Sequence, residues 1–175
     1  MRKFKVLIFI LIGSTLWLFP AGNVMINLSG NYLNTKSASR NEGILFPELK
    51  ISYNASRDFH VWSSFSYLDV VYRCYSSTSI GHIFSIGIGY HTETQKNPCY
   101  MVETGICKIV LMEKNPEKDA GDSLLGFQMN GIIVSSPDEK IFGGLSIGFM
   151  TAFNLLPSQD KFSGLKVGLI IGWKL

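Results

Sequence analysis

The stretch that decides the fold is SGLKVGLIIGWKL, residues 163–175. Alternate positions from Leu165 to Leu175 are large and apolar, and the positions between them are lysine, glycine or, once, isoleucine. A repeat of two residues is typical of a β-strand with one apolar face. If the repeat recurs along the chain, the apolar faces can meet lipid while the strands close into a membrane barrel.

The same alternation recurs in seven earlier segments, and each of them predicts a strand. In the segment 80–91, for example, Phe84, Ile86 and Ile88 alternate with serine and glycine. Short turns alternate with longer polar loops, as expected if the turns face the periplasm and the loops face outward. The eight predicted strands are 24–33, 44–54, 59–69, 80–91, 100–112, 123–135, 141–153 and 163–175.

Two residues interrupt this regularity. Pro47 lies inside the second predicted strand but has no backbone N–H to donate, so it predicts a bulge or a locally unpaired position. In the fifth predicted strand, the apolar alternation that begins at Tyr100 is lost at Lys108.

Aromatic residues lie at both ends of the predicted strands, which is typical of a chain that spans a membrane with two interfaces. Their periplasmic set is Tyr53, Phe59, Tyr90, Tyr100 and Trp173, and their outer set is Tyr32, Tyr67 and Phe153. With these features the sequence resembles the small eight-stranded outer-membrane barrels, the superfamily of the OmpX-like proteins and the OmpA transmembrane domain. The ending Leu169, Ile171, Trp173 and Leu175 also resembles the C-terminal signal for barrel assembly, although the usual terminal residue is Phe.

The resemblance implies an all-β protein, an eight-stranded antiparallel up-and-down transmembrane β-barrel over residues 23–175. It implies a monomer in the bacterial outer membrane, in contact with outer-membrane lipid and lipopolysaccharide. The barrel-assembly machinery is the implied partner during biogenesis.

Residues 1–22 predict a cleavable signal peptide, because Arg2, Lys3 and Lys5 precede an uncharged run that ends at Pro20, Ala21 and Gly22. An uncleaved anchor is the alternative, since no charge follows until Lys36.

Composition excludes other classes of function. The chain is 46% hydrophobic and 17% charged, and its formal charge of +3 equals the three basic residues of the N-terminal segment. The neutral remainder gives no electrostatic footprint for nucleic acid. The sequence has no cofactor motif and no metal-ligand spacing, so we predict neither cofactor nor metal.

Cys74 is predicted in an outer loop and Cys99 in a periplasmic turn, too far apart for a disulfide, and Cys107 in mid-strand.

The inward face predicts a filled lumen, because eight strands leave room only for side chains. Its charged residues are Glu48, Lys50, Glu103, Lys166 and Lys174, and we expect Glu48 and Lys166 to pair across the barrel. His60 and His91 are expected to form hydrogen bonds inside the lumen. Because lysines already lie on this face, a lysine at position 170 is expected to be tolerated.

These features predict a non-enzymatic barrel with no catalytic residue. Its loops 70–79 and 113–122 would contact surfaces, host molecules or lipid head groups, or support envelope integrity. One alternative is a lipid A-modifying enzyme that uses His82 together with Ser76 or Ser77 and Asp69. Another is transport of a small apolar solute through a lateral opening.

Overall fold

The chain folds into a closed barrel of eight strands in sequence order, each antiparallel to its neighbours. The computed structural model describes residues 24–37, 40–72, 77–92, 98–115, 118–135, 140–153 and 161–175. The predicted fold is confirmed, while the signal peptide prediction falls outside the described residues. No helix in the described ranges is long and apolar enough to cross a membrane. The strands are β1 (Val24–Ser37), β2 (Arg40–Asn54), β3 (Phe59–Tyr72), β4 (Ser77–His91), β5 (Cys99–Asn115), β6 (Lys118–Ser135), β7 (Ile141–Phe153) and β8 (Lys161–Lys174).

Pairing of β1 with β8 closes the barrel, and the chain end takes part because the Leu175 N–H donates to the Val24 carbonyl at 3.0 Å. A path that goes from each residue to its ladder partner on the next strand, starting at Asn54 of β2, runs once around the barrel. It returns to β2 at Ile44, ten residues from its start. This stagger tilts the strands by about 40° and leaves a narrow interior. The path runs through Asn54, His60, Gly89, Glu103, Asn130, Gly148, Lys166, Leu33 and Ile44.

We call the end at which β1 begins and β8 ends the terminal end, and the opposite end the distal end. At the distal end the strands run further than the sequence predicts. The predicted loops 34–43, 70–79 and 113–122 are too long, because pairing continues to Ser37 with Arg40, Tyr72 with Ser77 and Asn115 with Lys118. The prediction relied on apolar alternation, which ends where polar residues begin, although a two-stranded ladder can continue there. Cys74, the turn at 136–139 and most of the loop 154–162 lie outside the described residues.

Where the structure describes the side chains of a strand, the predicted alternation of faces is confirmed. The clearest case is β8, where the side chain of Leu169 is 68% exposed and that of Ile170 is 4% exposed. The alternation also passes through Lys108, which is exposed on the outward face of β5. Cys99 is the first residue of β5 rather than part of a turn, and both Cys99 and Cys107 are buried.

The ladder between β2 and β3 is the shortest in the barrel. It runs from Asn54 opposite His60 to Glu48 opposite Ser66, although both strands continue towards the distal end in their other pairings. Pro47 is the first residue beyond it, so the predicted unpaired position is confirmed on this side, while on the other side Pro47 pairs with Gly30. We call the unpaired edges, residues 40–47 of β2 and 67–72 of β3, the β2–β3 gap.

Large inward side chains lie opposite glycines of the neighbouring strand. Trp62 is paired with Gly87 and His60 with Gly89, and a Cβ added to either glycine would lie within 2.6 Å of the facing ring. Asn31 covers Gly168 in the same way on the other side of the barrel. The glycines of the inward face therefore make room for the few large residues that fill a narrow lumen.

Replacing Gly87 with alanine is expected to cost about 1 to 3 kcal/mol of the free energy of unfolding, because the new methyl group would overpack the lumen. Its Cβ would lie 2.1 Å from the Thr104 carbonyl oxygen and 2.6 Å from the Trp62 ring. Gly30→Ala is the matched control, since a Cβ there meets nothing within 4 Å. Urea titration of the two variants in vesicles measures the difference, and equal losses would contradict the packing argument.

Candidate functional site

The lumen contains two apolar clusters, one at each end, with a polar layer between them. Ile170 belongs to the terminal cluster, so the expectation that a lysine at position 170 would find polar surroundings is wrong. Side chains of both clusters are buried and fill the two halves of the lumen. The terminal cluster is Met25, Cys99, Met101, Ile132, Val134, Phe142 and Ile170. The distal cluster is Leu33, Ile44, Phe46, Leu68, Ile83, Cys107, Ile109, Leu124, Met150 and Ala152.

The predicted pair of Glu48 and Lys166 is confirmed in the polar layer. The Lys166 ammonium nitrogen lies 2.6 Å from Glu48 Oε2. The same carboxylate oxygen accepts hydrogen bonds from the Asn31 amide at 3.0 Å and the Ser29 hydroxyl at 3.3 Å. Both charges are buried, so this pair and its two donors offset the cost of removing them from water.

A second ion pair, Lys50 with Glu103, was not predicted. The Lys50 ammonium nitrogen lies 2.7 Å and 2.9 Å from the two carboxylate oxygens of Glu103. His60 Nε2 is 3.1 Å from Glu103 Oε1, and Lys50 also lies 5.8 Å from the centre of the Trp62 ring. These side chains come from β2, β3 and β5, and the stagger of the barrel determines which of them meet. Opposite charges on inward positions were the available signal, but the stagger was not readable from the sequence.

The histidines of the lumen lie towards the terminal end and form the hydrogen bonds expected of them. His91 Nδ1 is 3.2 Å from the Thr92 carbonyl oxygen, and the His91 ring stacks on the His60 ring at 5.5 Å. Within the described ranges no group of three potential metal ligands is present. The polar layer thus holds Glu48, Lys50, Glu103 and Lys166 in internal pairs between apolar clusters, an arrangement suited to holding the barrel closed.

His82 lies on the outward face of β4, as predicted, where its ring stacks on Phe65 at 5.6 Å and lies 5.5 Å from Tyr67. Ser77 is five residues away on the same strand, a Cα separation of about 16 Å. The structure therefore does not bring Ser77 to His82. The backbone of Asp69 lies opposite Ile80. Ser76 and the side chain of Asp69 lie outside what the structure describes.

The outward surface is an apolar band bounded by two sets of aromatic side chains, which confirms their predicted positions. The terminal set surrounds the barrel near the chain ends, and members of both sets are exposed. Between the two sets, Lys108 is the one charged side chain that points outward in the described part of the chain. The exposed aromatic members are Phe59, Tyr90, Tyr100 and Trp173 at the terminal end and Tyr32, Tyr67 and Phe153 at the distal end.

Comparison with known proteins gives structural matches alone. No family model and no curated protein matches the sequence. Neisserial surface protein A matches with a TM-score of 0.75 at 9% identity, over 90% of this chain and 100% of that one. The N-terminal barrel of Pseudomonas aeruginosa OprF matches with a TM-score of 0.60 at 14% identity, over 87% of this chain and 98% of that one.

A third match is Ail, the attachment invasion locus protein of Yersinia pestis, in complex with the heparin analogue sucrose octasulfate. Its TM-score is 0.60 at 11% identity, over 88% of this chain and 100% of that one. At such low identities the matches show a shared fold. Together with the closed circuit of eight strands, they establish that this chain has the fold of the small eight-stranded outer-membrane β-barrels.

Proposed function

We propose that this chain is a non-enzymatic protein of the bacterial outer membrane that acts through its distal hairpins, in adhesion or other surface contacts or in envelope integrity. In this proposal the distal end is extracellular, the apolar band is embedded in outer-membrane lipid, and the barrel is a monomer delivered by the barrel-assembly machinery. The outward apolar band and the fold shared with outer-membrane proteins support the location.

The observation that carries the proposal is the contrast between a filled lumen and long distal hairpins. Buried apolar clusters occupy both halves of the lumen, and the charges between them are paired. A strand needs about 9 to 11 residues to cross the hydrocarbon region. β5 has 17 residues and β6 has 18, so this hairpin continues well beyond the apolar band. Such a molecule offers a partner its hairpins rather than its interior.

The charge of the β5–β6 hairpin narrows the class of partner. Segment 113–122 carries more acidic than basic residues, so it would repel a sulfated polysaccharide such as the heparin analogue bound to Ail. A neutral or basic surface is the better complement. The acidic residues are Glu113, Glu117, Asp119 and Asp122, and the basic ones are Lys114 and Lys118.

The proposal is tested by shortening this hairpin without altering the barrel. Met112 and Gly121 are direct ladder partners, so an Asn-Gly turn can replace residues 113–120. We expect bacteria that display the shortened protein to bind less to epithelial monolayers and to polylysine-coated beads than bacteria with the intact protein. Equal amounts of heat-modifiable barrel in the outer membrane serve as the control. Unchanged binding to both surfaces would contradict the proposed role of the hairpin.

The alternative of a lipid A-modifying enzyme has its own test. Changing His82 to alanine is expected to leave the lipid A mass profile of a complemented deletion strain unchanged, because Ser77 lies far from this imidazole. The profile of the uncomplemented strain shows whether the protein has any effect on lipid A. A modified lipid A species that disappears in both strains would assign an enzymatic role to His82.

One observation favours a second candidate function, exchange of a small apolar solute through the barrel wall. The β2–β3 gap lies beside the distal apolar cluster, to which Phe46 and Leu68 belong. The ion pairs of the polar layer lie on the terminal side of this cluster, so such a route would end in the distal half. Faster entry of an apolar fluorescent dye into vesicles that contain the protein would support it, and rates equal to protein-free vesicles would oppose it.

A further inference from the structure

Lys108 is a charged residue on the outward face of the barrel, within the apolar band. Its ladder partners are Phe84 on β4 and Leu125 on β6, and both of these side chains are exposed on the outward face. Lys108 itself is exposed beside them. A lysine surrounded by lipid is costly unless its ammonium group reaches water or an anion. In this position the ammonium group therefore needs water or an anion within its reach.

The depth of Lys108 in the band follows from its strand. Lys108 lies eight residues beyond Tyr100, which belongs to the terminal aromatic set. With about 3.3 Å per residue and a tilt of about 40°, these residues carry β5 about 20 Å along the barrel axis. The apolar band of such a barrel is about 25 Å tall. The Cα of Lys108 therefore lies about 5 Å inside the distal edge, and its flexible side chain can extend to the head groups.

Among the side chains that the structure describes, none supplies the anion. The described side chains include no acidic group on the outward face between the aromatic sets, and no salt bridge of Lys108 is formed. What lies beside Lys108 is aromatic: Phe84 contacts Phe65 at 5.1 Å, and Phe65 stacks on His82, which in turn contacts Tyr67. Tyr67 and His82 carry polar atoms and are paired two residues nearer the distal end than Phe65 and Phe84, which is the direction of the head groups. This patch combines a cation, an amphipathic ring and an apolar base.

We propose that Lys108, with Tyr67 and His82 on the distal side of the same patch, binds the phosphate group of a lipid A molecule in the outer leaflet. This inference rests on the proposed location in the outer membrane, where lipid A supplies phosphate at the level to which the ammonium group extends. The apolar rings of Phe65 and Phe84 lie under the acyl chains of the same lipid. A lysine binds phosphate as a compact charge. The site therefore recognises the charge of its ligand and its depth in the membrane rather than a particular geometry.

The test compares wild-type protein, Lys108→Gln and Lys108→Arg, each refolded into phosphatidylcholine vesicles with or without lipid A. Lipid A is expected to raise the urea midpoint of the wild type and of Lys108→Arg. Lys108→Gln should lose this rise and bind lipid A about tenfold more weakly, a difference of about 1.4 kcal/mol. In phosphatidylcholine alone Lys108→Gln should be at least as stable as the wild type, so a folding defect cannot account for the loss. Lys174→Gln, at the terminal end, is the matched control and should keep the full rise.

Three results would overturn the proposal. One is an equal rise for wild type and Lys108→Gln. Another is an equal rise with dephosphorylated lipid A, which would assign the effect to acyl chains. A third is an equal rise with phosphatidylglycerol in place of lipid A, which would make the site a general one for anionic lipid. Failure of the outer-membrane location would appear separately, as recovery of the protein in a soluble fraction.

Discussion

Replacing Glu103 with glutamine is expected to lower the free energy of unfolding by about 3 to 5 kcal/mol, because it breaks a buried ion pair from one side. The Glu103 side chain is 1% exposed, and its carboxylate contacts both Lys50 and His60. Glutamine keeps the size of the side chain but not its charge, so the buried Lys50 ammonium group would lose the carboxylate with which it is directly paired. Urea titration of the protein in lipid vesicles measures the loss.

The double variant Lys50→Met with Glu103→Leu separates the charge from the packing. Because it removes both buried charges and keeps similar volumes, we expect it to be much closer to the wild type than Glu103→Gln alone. The Lys50 ammonium nitrogen also lies over the Trp62 ring, and methionine would place an apolar side chain there instead. A double variant as unstable as the single one would mean that the loss arises from packing or from His60, not from the unpaired lysine.

Arginine at Leu169 is expected to cost about 2 to 4 kcal/mol, because the guanidinium would be placed near the midplane of the bilayer. Leu169 lies midway along the outward row of β8 between Trp173, in the terminal aromatic set, and Leu165. Its side chain is 68% exposed, so in a water-soluble barrel the same change would cost almost nothing. Denaturant titration in vesicles decides between the two environments.

Leu175→Arg is the matched control on the same face, one residue beyond the end of β8. At the chain end the arginine reaches the interface, so we expect a cost of about 0 to 1 kcal/mol. Equal small losses at Leu169 and Leu175 would contradict lipid contact. Ile170→Lys cannot serve as a harmless control, because Ile170 is buried in the terminal apolar cluster and a lysine there would have no partner.

The fold could be predicted from the sequence because the bilayer imposes its own pattern on every strand. Residues that face lipid are apolar and those that face a narrow lumen are small, so a period of two identifies each strand, as β8 shows. The aromatic sets then fixed which strand ends share an interface. The pairing of Glu48 with Lys166 was also predictable, since both are inward charges of opposite sign in the same half of the barrel.

Other features depended on information that the alternation does not contain. The distal hairpins continue as strands outside the bilayer, where no apolar face is required, so composition suggested loops. The contact of Lys50 with Glu103 depends on the stagger between strands that are distant in sequence. The apolar surroundings of Ile170 depend on which inward residues of β1, β5, β6 and β7 converge on it, which one strand cannot reveal.

The seam between β2 and β3 has the shortest hydrogen-bonded ladder in the barrel wall, because of the β2–β3 gap. In an antiparallel strand, successive residues direct their N–H groups to opposite neighbours. On the distal part of β2, every second amide is therefore held by β1, while the amides between them face the gap. Hydrogen exchange is expected to alternate fast and slow along residues 44–46 and again along 67–72, whereas at the β1–β8 closure amides directed to either side should exchange slowly. The wall can thus open along one seam by local fluctuation while the closed ring of eight strands stays intact near the terminal end.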